Sequence, residues 1–188
     1  AAAEALDVGD TVTDSFNYTV TDGALTDTAV ITIKVFGVND TPVAQDDVGV
    51  INENETLTVS NGDNANESGG SYDASGEHSG DVIDTSSGTH QDSDADASAS
   101  LTITQIKKDG GSNSAVSSGS TTSVTGTYGT LTIGADGSYT YAATESAADG
   151  IADGESATDV FVYTLSDGTD TTTANITITI LGQNDALT

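Results

Sequence analysis

Asp92, Asp94 and Asp96 stand at alternate positions in the run Gln91-Asp92-Ser93-Asp94-Ala95-Asp96. On an extended chain alternate side chains share one face. Three carboxylates on one face repel each other unless a cation sits among them. Calcium, a hard cation, takes six to eight oxygen ligands in flexible geometry. The run is not an EF-hand loop, which needs Gly at its sixth position and Glu at its twelfth; counted from Asp92 these are Ala97 and Ile103. The competing reading is a solvated acidic turn, and the alternation favours the cation. His78 and His90 lie in a polar stretch of a chain without cysteine and read as solvated side chains rather than zinc ligands. Asp149, Asp153 and Glu155 flank Gly150 and Gly154 and read as a loop.

The composition agrees with cation chemistry and excludes several other kinds. There are 23 Asp and 7 Glu against three Lys and no Arg, a formal charge of −27. Phosphate binding needs Lys and Arg, so nucleic acid and anionic lipid surfaces are not expected partners. Acidic chains with few aromatics are often disordered, but alternating apolar runs argue against that here. The lean to Asp over Glu suits tight turns and oxygen-rich cation loops. With no cysteine, neither a disulfide nor a thiolate metal site braces the fold. No stretch approaches the length of a membrane-spanning helix, so no membrane insertion is expected. The start, AAAEALDVGD, has no basic region or apolar core. The segment therefore reads as part of a longer chain whose export signal lies elsewhere.

The elements that must hold these groups announce themselves by repetition. GDTVTDSFNYTVTDGALTDTAVITIKVFGVND (Gly9 to Asp40) aligns without a gap, at an offset of 145 residues, with GESATDVFVYTLSDGTDTTTANITITILGQND (Gly154 to Asp185), and 17 of the 32 positions are identical. This implies a tandem array with a period near 145 residues. Each copy predicts a hairpin: Phe16, Tyr18 and Val20 alternate with polar residues, and Phe161, Tyr163 and Leu165 recur at the same positions of the second copy. Asp22-Gly23 and Asp167-Gly168 supply the turns. The apolar face of the first hairpin is expected to be Phe16, Tyr18 and Val20 with part of the run Val30–Phe36.

Further strands are predicted at Asp47–Ile51, Thr56–Val59, Leu101–Ile106, Thr121–Val124, Tyr128–Ile133 and Ser138–Tyr141, with part of Asp81–Ile83. Tyr139, Tyr141 and Tyr163 fit core or cross-strand positions better than a sugar platform. A helical turn is conceivable only at Ala143–Ala148. Ser60–Ser100 reads as a long surface loop. Many short strands with Gly-rich turns predict an all-β, Ig-like antiparallel sandwich with Greek-key connections. The domain reading has three parts. Residues 1–40 are the closing hairpin and linker of a preceding repeat, 41–185 form one complete repeat, and 186–188 begin the next linker. Two strands alone are marginal in water, so the first hairpin needs something to lean on.

GTYGTLTIGADGSYTYAA followed by ATDVFVYTLSDGTDTTTANITITILGQND resembles the VCBS repeat, one of the cadherin-like and bacterial Ig-like modules of giant type I-secreted RTX adhesins. The resemblance covers roughly Thr41 to Asp185. It implies a sandwich with calcium at domain boundaries and an extender role in cell adhesion and biofilm formation at the bacterial surface. GVNDTPVAQDD resembles the cadherin linker, in which an Asn carbonyl and an Asp carboxylate bridge adjacent domains; Asn39 and Asp40 match it. Asp46 and Asp47 follow, and Glu53 resembles the early glutamate of cadherin modules. Asn184 and Asp185 would serve the next boundary. Two features depart from the family: Asp96 is followed by Ala97 instead of glycine, and the loop Asn61–Gly88 is long.

The implied ligands of calcium are therefore Asp92, Asp94, Asp96, Asn39, Asp40, Asp46, Glu53, Asn184 and Asp185. The leading function is a calcium-stabilised extender of a large secreted adhesin, its partners being adjacent repeats joined through calcium-bridged linkers, with no direct ligand of its own. The alternative is a carbohydrate- or partner-binding module, such as an accessory domain of a secreted polysaccharide hydrolase. Tyr72 is the only aromatic residue in the Ser60–Ser100 loop, which disfavours that alternative. No carboxylate pair or nucleophile constellation is singled out by spacing, so no catalysis is expected.

Overall fold

In strand after strand, apolar and β-branched residues fall at every second position, and a sheet can cover a core with such a face. The computed structural model describes residues 3–62, 75–83 and 89–184. Among them eleven strands form: β1 (Thr11–Thr21), β2 (Thr26–Phe36), β3 (Asp47–Asn52), β4 (Thr56–Val59), β5 (Thr102–Lys108), β6 (Ser114–Ala115), β7 (Thr121–Thr125), β8 (Thr130–Gly134), β9 (Tyr139–Ala142), β10 (Ser156–Ser166) and β11 (Thr171–Leu181). All six strands expected between the hairpins are present, Thr56–Val59 with the expected bounds and the other five with shifted ends. The two-residue β6 has no signal in the sequence. Asp81–Ile83 is a turn rather than a strand, though Val82 is buried. Ala143–Ala148 holds turns closed by Ala148 N to Glu145 O rather than a helix. Of the expected long loop and of Tyr72, the parts 63–74 and 84–88 lie outside the described residues, as do 185–188.

The chain divides into two units. One comprises residues up to Asp40 together with Asp94–Ala99; the other comprises Thr41–Ser93 and the chain from Ser100 onward. The larger unit is a sandwich. One sheet has the order β3-β11-β10-β5-β6 and the other the order β4-β9-β8-β7. The pairings are antiparallel with one exception: β3 runs parallel to β11, Asp47 opposite Ile176 through Asn52 opposite Leu181. The chain leaves β3 for the facing sheet, so no hairpin ties β3 to β11 and its direction is free to be parallel. The two inner faces meet in one core, with Ile51, Leu57, Leu131, Ile133, Tyr141, Phe161, Tyr163, Ile176 and Ile178 almost wholly buried. Tyr141 meets Phe161 edge to face, ring centroids 6.1 Å apart.

The smaller unit is built on β1–β2. Its register repeats that of β10–β11 residue for residue: Phe16 faces Ile31 as Phe161 faces Ile176, and Tyr18 faces Ala29 as Tyr163 faces Ala174. The ambiguity about its apolar face is thereby settled, since directly opposed residues share a face: Ile31, Ile33 and Val35 join Phe16, Tyr18 and Val20. The turns also repeat. Asp22 Oδ1 accepts from Ala24 N (2.9 Å) and Leu25 N (2.8 Å), and Asp167 Oδ1 from Thr169 N (2.6 Å) and Asp170 N (2.7 Å). Gly23 and Gly168 take φ of 99° and 100°, a conformation open to glycine.

Candidate metal centre

Strand β3 carries an acidic residue at each end. Asp47 opens it, wholly buried, where the linker passes under the loop containing Asp92. That loop is stitched to the linker by Val43 N to Ser93 O (2.8 Å) and Ser93 N to Val43 O (3.0 Å). Asp92, also buried, accepts from Gln45 N through Oδ1 (2.8 Å). Asp47 Oδ1 accepts from the Ser79 hydroxyl (3.0 Å), while its Oδ2 is buried with no hydrogen-bond partner. Burial, and next the negative charge of Asp92, push the Asp47 carboxyl well above the usual carboxylate range. The Tyr163 hydroxyl donates to Gln45 O (2.7 Å), and burial with the nearby charge of Asp47 holds it protonated far beyond the ordinary tyrosine range.

Glu53 follows the other end of β3 and is 3% exposed. Its Oε1 accepts from Gln183 N (2.5 Å), and its Oε2 is buried with no hydrogen-bond partner. Six residues of strand at about 3.3 Å each separate Glu53 from Asp47 by about 20 Å. Glu53 therefore does not join Asp46 and Asp92, beside which the sequence lists it. It lies at the end of the sandwich where the chain leaves through Gln183 and Asn184. Asn184 is exposed there; Asp185 lies outside the described residues.

Asn39, Asp40, Asp94 and Asp96 belong to the smaller unit. Asp40 N donates to Asp96 Oδ2 (2.9 Å), Asp96 N to Asp94 Oδ1 (2.8 Å), and Asn39 Nδ2 to Asp40 O (2.9 Å). Asp94 Oδ2 and Asp96 Oδ1 are buried with no hydrogen-bond partner. The expectation of one extended face through Asp92, Asp94 and Asp96 needs correcting. The backbone bends after Asp94 because its carboxylate captures the Asp96 N–H two residues on, an Asx-type turn. Asp46 is exposed and spends Oδ1 on Asn175 N (2.8 Å), which fixes the linker beside β11. His78 is buried, its Nδ1 accepting from Gly80 N (3.1 Å), and His90 Nδ1 lies 2.5 Å from Asp46 O. Both histidines are thus engaged in local structure rather than freely solvated.

Among the described residues, no three acidic or histidine side chains converge into a ready-made metal cage. Oxygen chemistry nonetheless fits a hard cation at both ends of β3. A buried carboxylate oxygen with no donor is costly, and calcium accepts carboxylate, carbonyl and water oxygens alike.

Sequence reasoning missed Asp159. It sits on the inward face of β10, 1% exposed, and accepts from Thr127 N (2.7 Å), Tyr128 N (2.9 Å), Gly129 N (3.2 Å) and the Tyr141 hydroxyl (2.8 Å). Burial opposes its charge, but these donors outweigh it and hold the carboxyl below its usual range. The signal was present: Asp159 is in phase with Phe161, Tyr163 and Leu165, the buried set of its strand.

Known proteins place this architecture. No curated protein matches the chain. Among solved structures, an endo-fucoidan hydrolase of glycoside hydrolase family 107 aligns over 97% of this chain at 19% identity and a TM-score of 0.33, and a variant of the same enzyme does so at 18%. This chain spans 20% of that enzyme's length, and likeness at this level carries no argument about function. A family profile described as the bacterial cadherin-like domain matches residues 39–182, from the Asn-Asp linker to the end of the closing hairpin, and the chain belongs to that family.

Proposed function

We propose that this chain is a calcium-stabilised extender segment of a large secreted adhesin at the bacterial surface, serving adhesion and biofilm formation and not catalysis. The reading includes the finer likeness to VCBS repeats of RTX proteins exported by type I secretion. One observation carries it: two buried carboxylates, Asp47 and Glu53, each keep an oxygen with no protein donor at opposite ends of one strand. A module with a cation-seeking group at each end is suited to joining a neighbour on either side. Its partners on this reading are adjacent repeats of the same chain, and its cofactor is calcium.

The charge supports the same reading. A net −27 opposes compaction by self-repulsion. A cation that binds only the folded state stabilises it by about 2.7 kcal/mol at a hundredfold excess over Kd. Extracellular calcium modules bind at about 10⁻⁴ to 10⁻³ M, so the segment would stay loose in the cytoplasm and set outside the cell. The test is thermal unfolding in chelator, in millimolar calcium, and in sodium chloride matched for ionic strength. The midpoint should rise in calcium well beyond the salt control. Equal midpoints in calcium and matched salt would show that screening suffices and would end the calcium reading.

A further inference from the structure

Hairpin β1–β2 exposes a face that its twin buries. Phe16 is 53% exposed, Tyr18 43%, Val20 53%, Ile31 49% and Ile33 48%, whereas Phe161, Tyr163, Leu165, Ile176 and Ile178 are all at 0%. The long edges differ in the same way. In the sandwich, β10 pairs with β5 along Phe161–Ser166 and β11 with β3 along Ile176–Leu181. The matching edges of β1 and β2 have no strand partner among the described residues.

The likeness between the hairpins extends beyond the aligned sequence. Asp10 N donates to Asp7 O and Gly37 N to Asp10 O, just as Glu155 N donates to Ala152 O and Gly182 N to Glu155 O. The same strap crosses both hairpins so closely that a Cβ on Gly37 would lie 2.1 Å from Asp7 O, and one on Gly182 2.3 Å from Ala152 O. A hairpin preserved in register, turn, strap and inward residues is shaped for the same occupant as its twin.

We infer that β1–β2 is a docking surface for the other half of a cadherin-like sandwich, a chain of the type of residues 41–150 in this protein. Asp14, which occupies the place of Asp159, is the polar fastener of that joint. Its carboxylate takes three successive backbone N–H groups and a tyrosine hydroxyl from the incoming half, as Asp159 takes those of Thr127, Tyr128, Gly129 and Tyr141. Tyr18 donates to a linker carbonyl, as Tyr163 does to Gln45 O. One edge receives an antiparallel strand like β5 and the other a parallel strand like β3. A second hairpin of the same kind brings a tyrosine hydroxyl but not the loop of three successive N–H groups that Thr127, Tyr128 and Gly129 supply. Asp14 lies in line with Phe16, Tyr18 and Val20 on one face of the hairpin, as Asp159 does with Phe161, Tyr163 and Leu165.

The test keeps the full chain and replaces residues 154–185 by the sequence of residues 9–40, so that the first hairpin stands where the second was. The chimera should retain amide-exchange protection at Leu131, Ile133 and Tyr141. Its midpoint should fall by roughly 3–10 °C, the effect of narrowing Leu165 and Ile180 to the smaller residues of the first hairpin. Unprotected β8 and β9 would overturn the inference, because the hairpin would then fit some other occupant, including a second copy of itself. Asp14→Asn in the unaltered chain should leave the unfolding of the sandwich unmoved, whereas Asp159→Asn should lower the midpoint of parent and chimera alike. A chimera insensitive to that substitution would remove the role given to Asp14. Both proteins are compared in the same calcium buffer, so a chain that gains nothing from calcium affects parent and chimera equally.

Discussion

Replacing Asp159 by Asn removes one charge from the middle of the sandwich and changes the shape of the side chain very little. The wild-type carboxylate accepts four hydrogen bonds, one at Oδ1 and three at Oδ2. An asparagine can place its oxygen where Oδ2 was and keep three of them without charge assistance. Its amide then faces the Thr127 N–H, a donor against a donor. Hydrogen bonds to charged groups contribute about 1.5–3 kcal/mol against about 0.5–1.5 for neutral ones, and a buried donor left unsatisfied costs about 1–3 kcal/mol. Three weakened bonds and one unsatisfied donor total roughly 4–8 kcal/mol, or a fall of about 8–30 °C in Tm for a domain of this size. The chain approaches the carboxylate closely at Gly126, where a Cβ would lie 2.1 Å from Asp159 Oδ2. Because the folded carboxyl is held below its unfolded value of 3.8, its contribution is fully present above that value. It is lost as pH falls through the folded pKa. Thermal melts followed by circular dichroism in saturating calcium, from neutral pH down through that window, should show a gap between wild type and Asp159→Asn that narrows on acidification. A shift under about 2 °C at neutral pH, where several kcal/mol are expected, would refute the reasoning. A gap that stays constant through the acid limb would do the same.

Other expectations follow from the same geometry. The Asp47 carboxyl is raised in the folded chain, so in chelator the fold should gain stability as pH is lowered through that raised pKa towards 3.8. Asp47→Asn should abolish the gain, and calcium should release protons from the wild type, read by calorimetry in buffers of different ionisation heat. Asp94→Ala and Glu53→Gln should each weaken calcium binding by about tenfold or more, the scale of about 1.4 kcal/mol per lost ligand. Since about 20 Å of strand separates Asp47 from Glu53, Glu53→Gln should leave the pH response assigned to Asp47 unchanged. A coupled response would contradict separate ends. Gly182→Ala should lower the melting midpoint by several degrees, because the added Cβ would lie 2.3 Å from Ala152 O and 2.5 Å from Ile151 O, both backbone atoms. An unchanged midpoint would show that the strap gives way easily.

Much of the fold was legible in the chain because a strand's period of two writes its buried face into alternate residues. Phe161, Tyr163 and Leu165 are inward as read, and the offset of 145 residues forecast the twin hairpins down to their Asp-Gly turns. The candidate ligands were legible only as residue types, since short carboxylates suit tight turns and cation loops alike. Their grouping was not. Glu53 is only six residues from Asp47 in sequence, yet a straight strand carries it to the far end of the sandwich. Asp92 and Asp96 are four residues apart, but an Asx turn at Asp94 breaks their common face. The parallel pairing of β3 with β11 joins chain segments about 130 residues apart, and no local pattern encodes it. The sequence by itself determined the strands, their turns and the chemistry of their side chains, which depend on neighbours along the chain. Only the tertiary structure decided which carboxylates are buried without a donor and which hairpin has its apolar face covered, because both depend on strands brought from elsewhere.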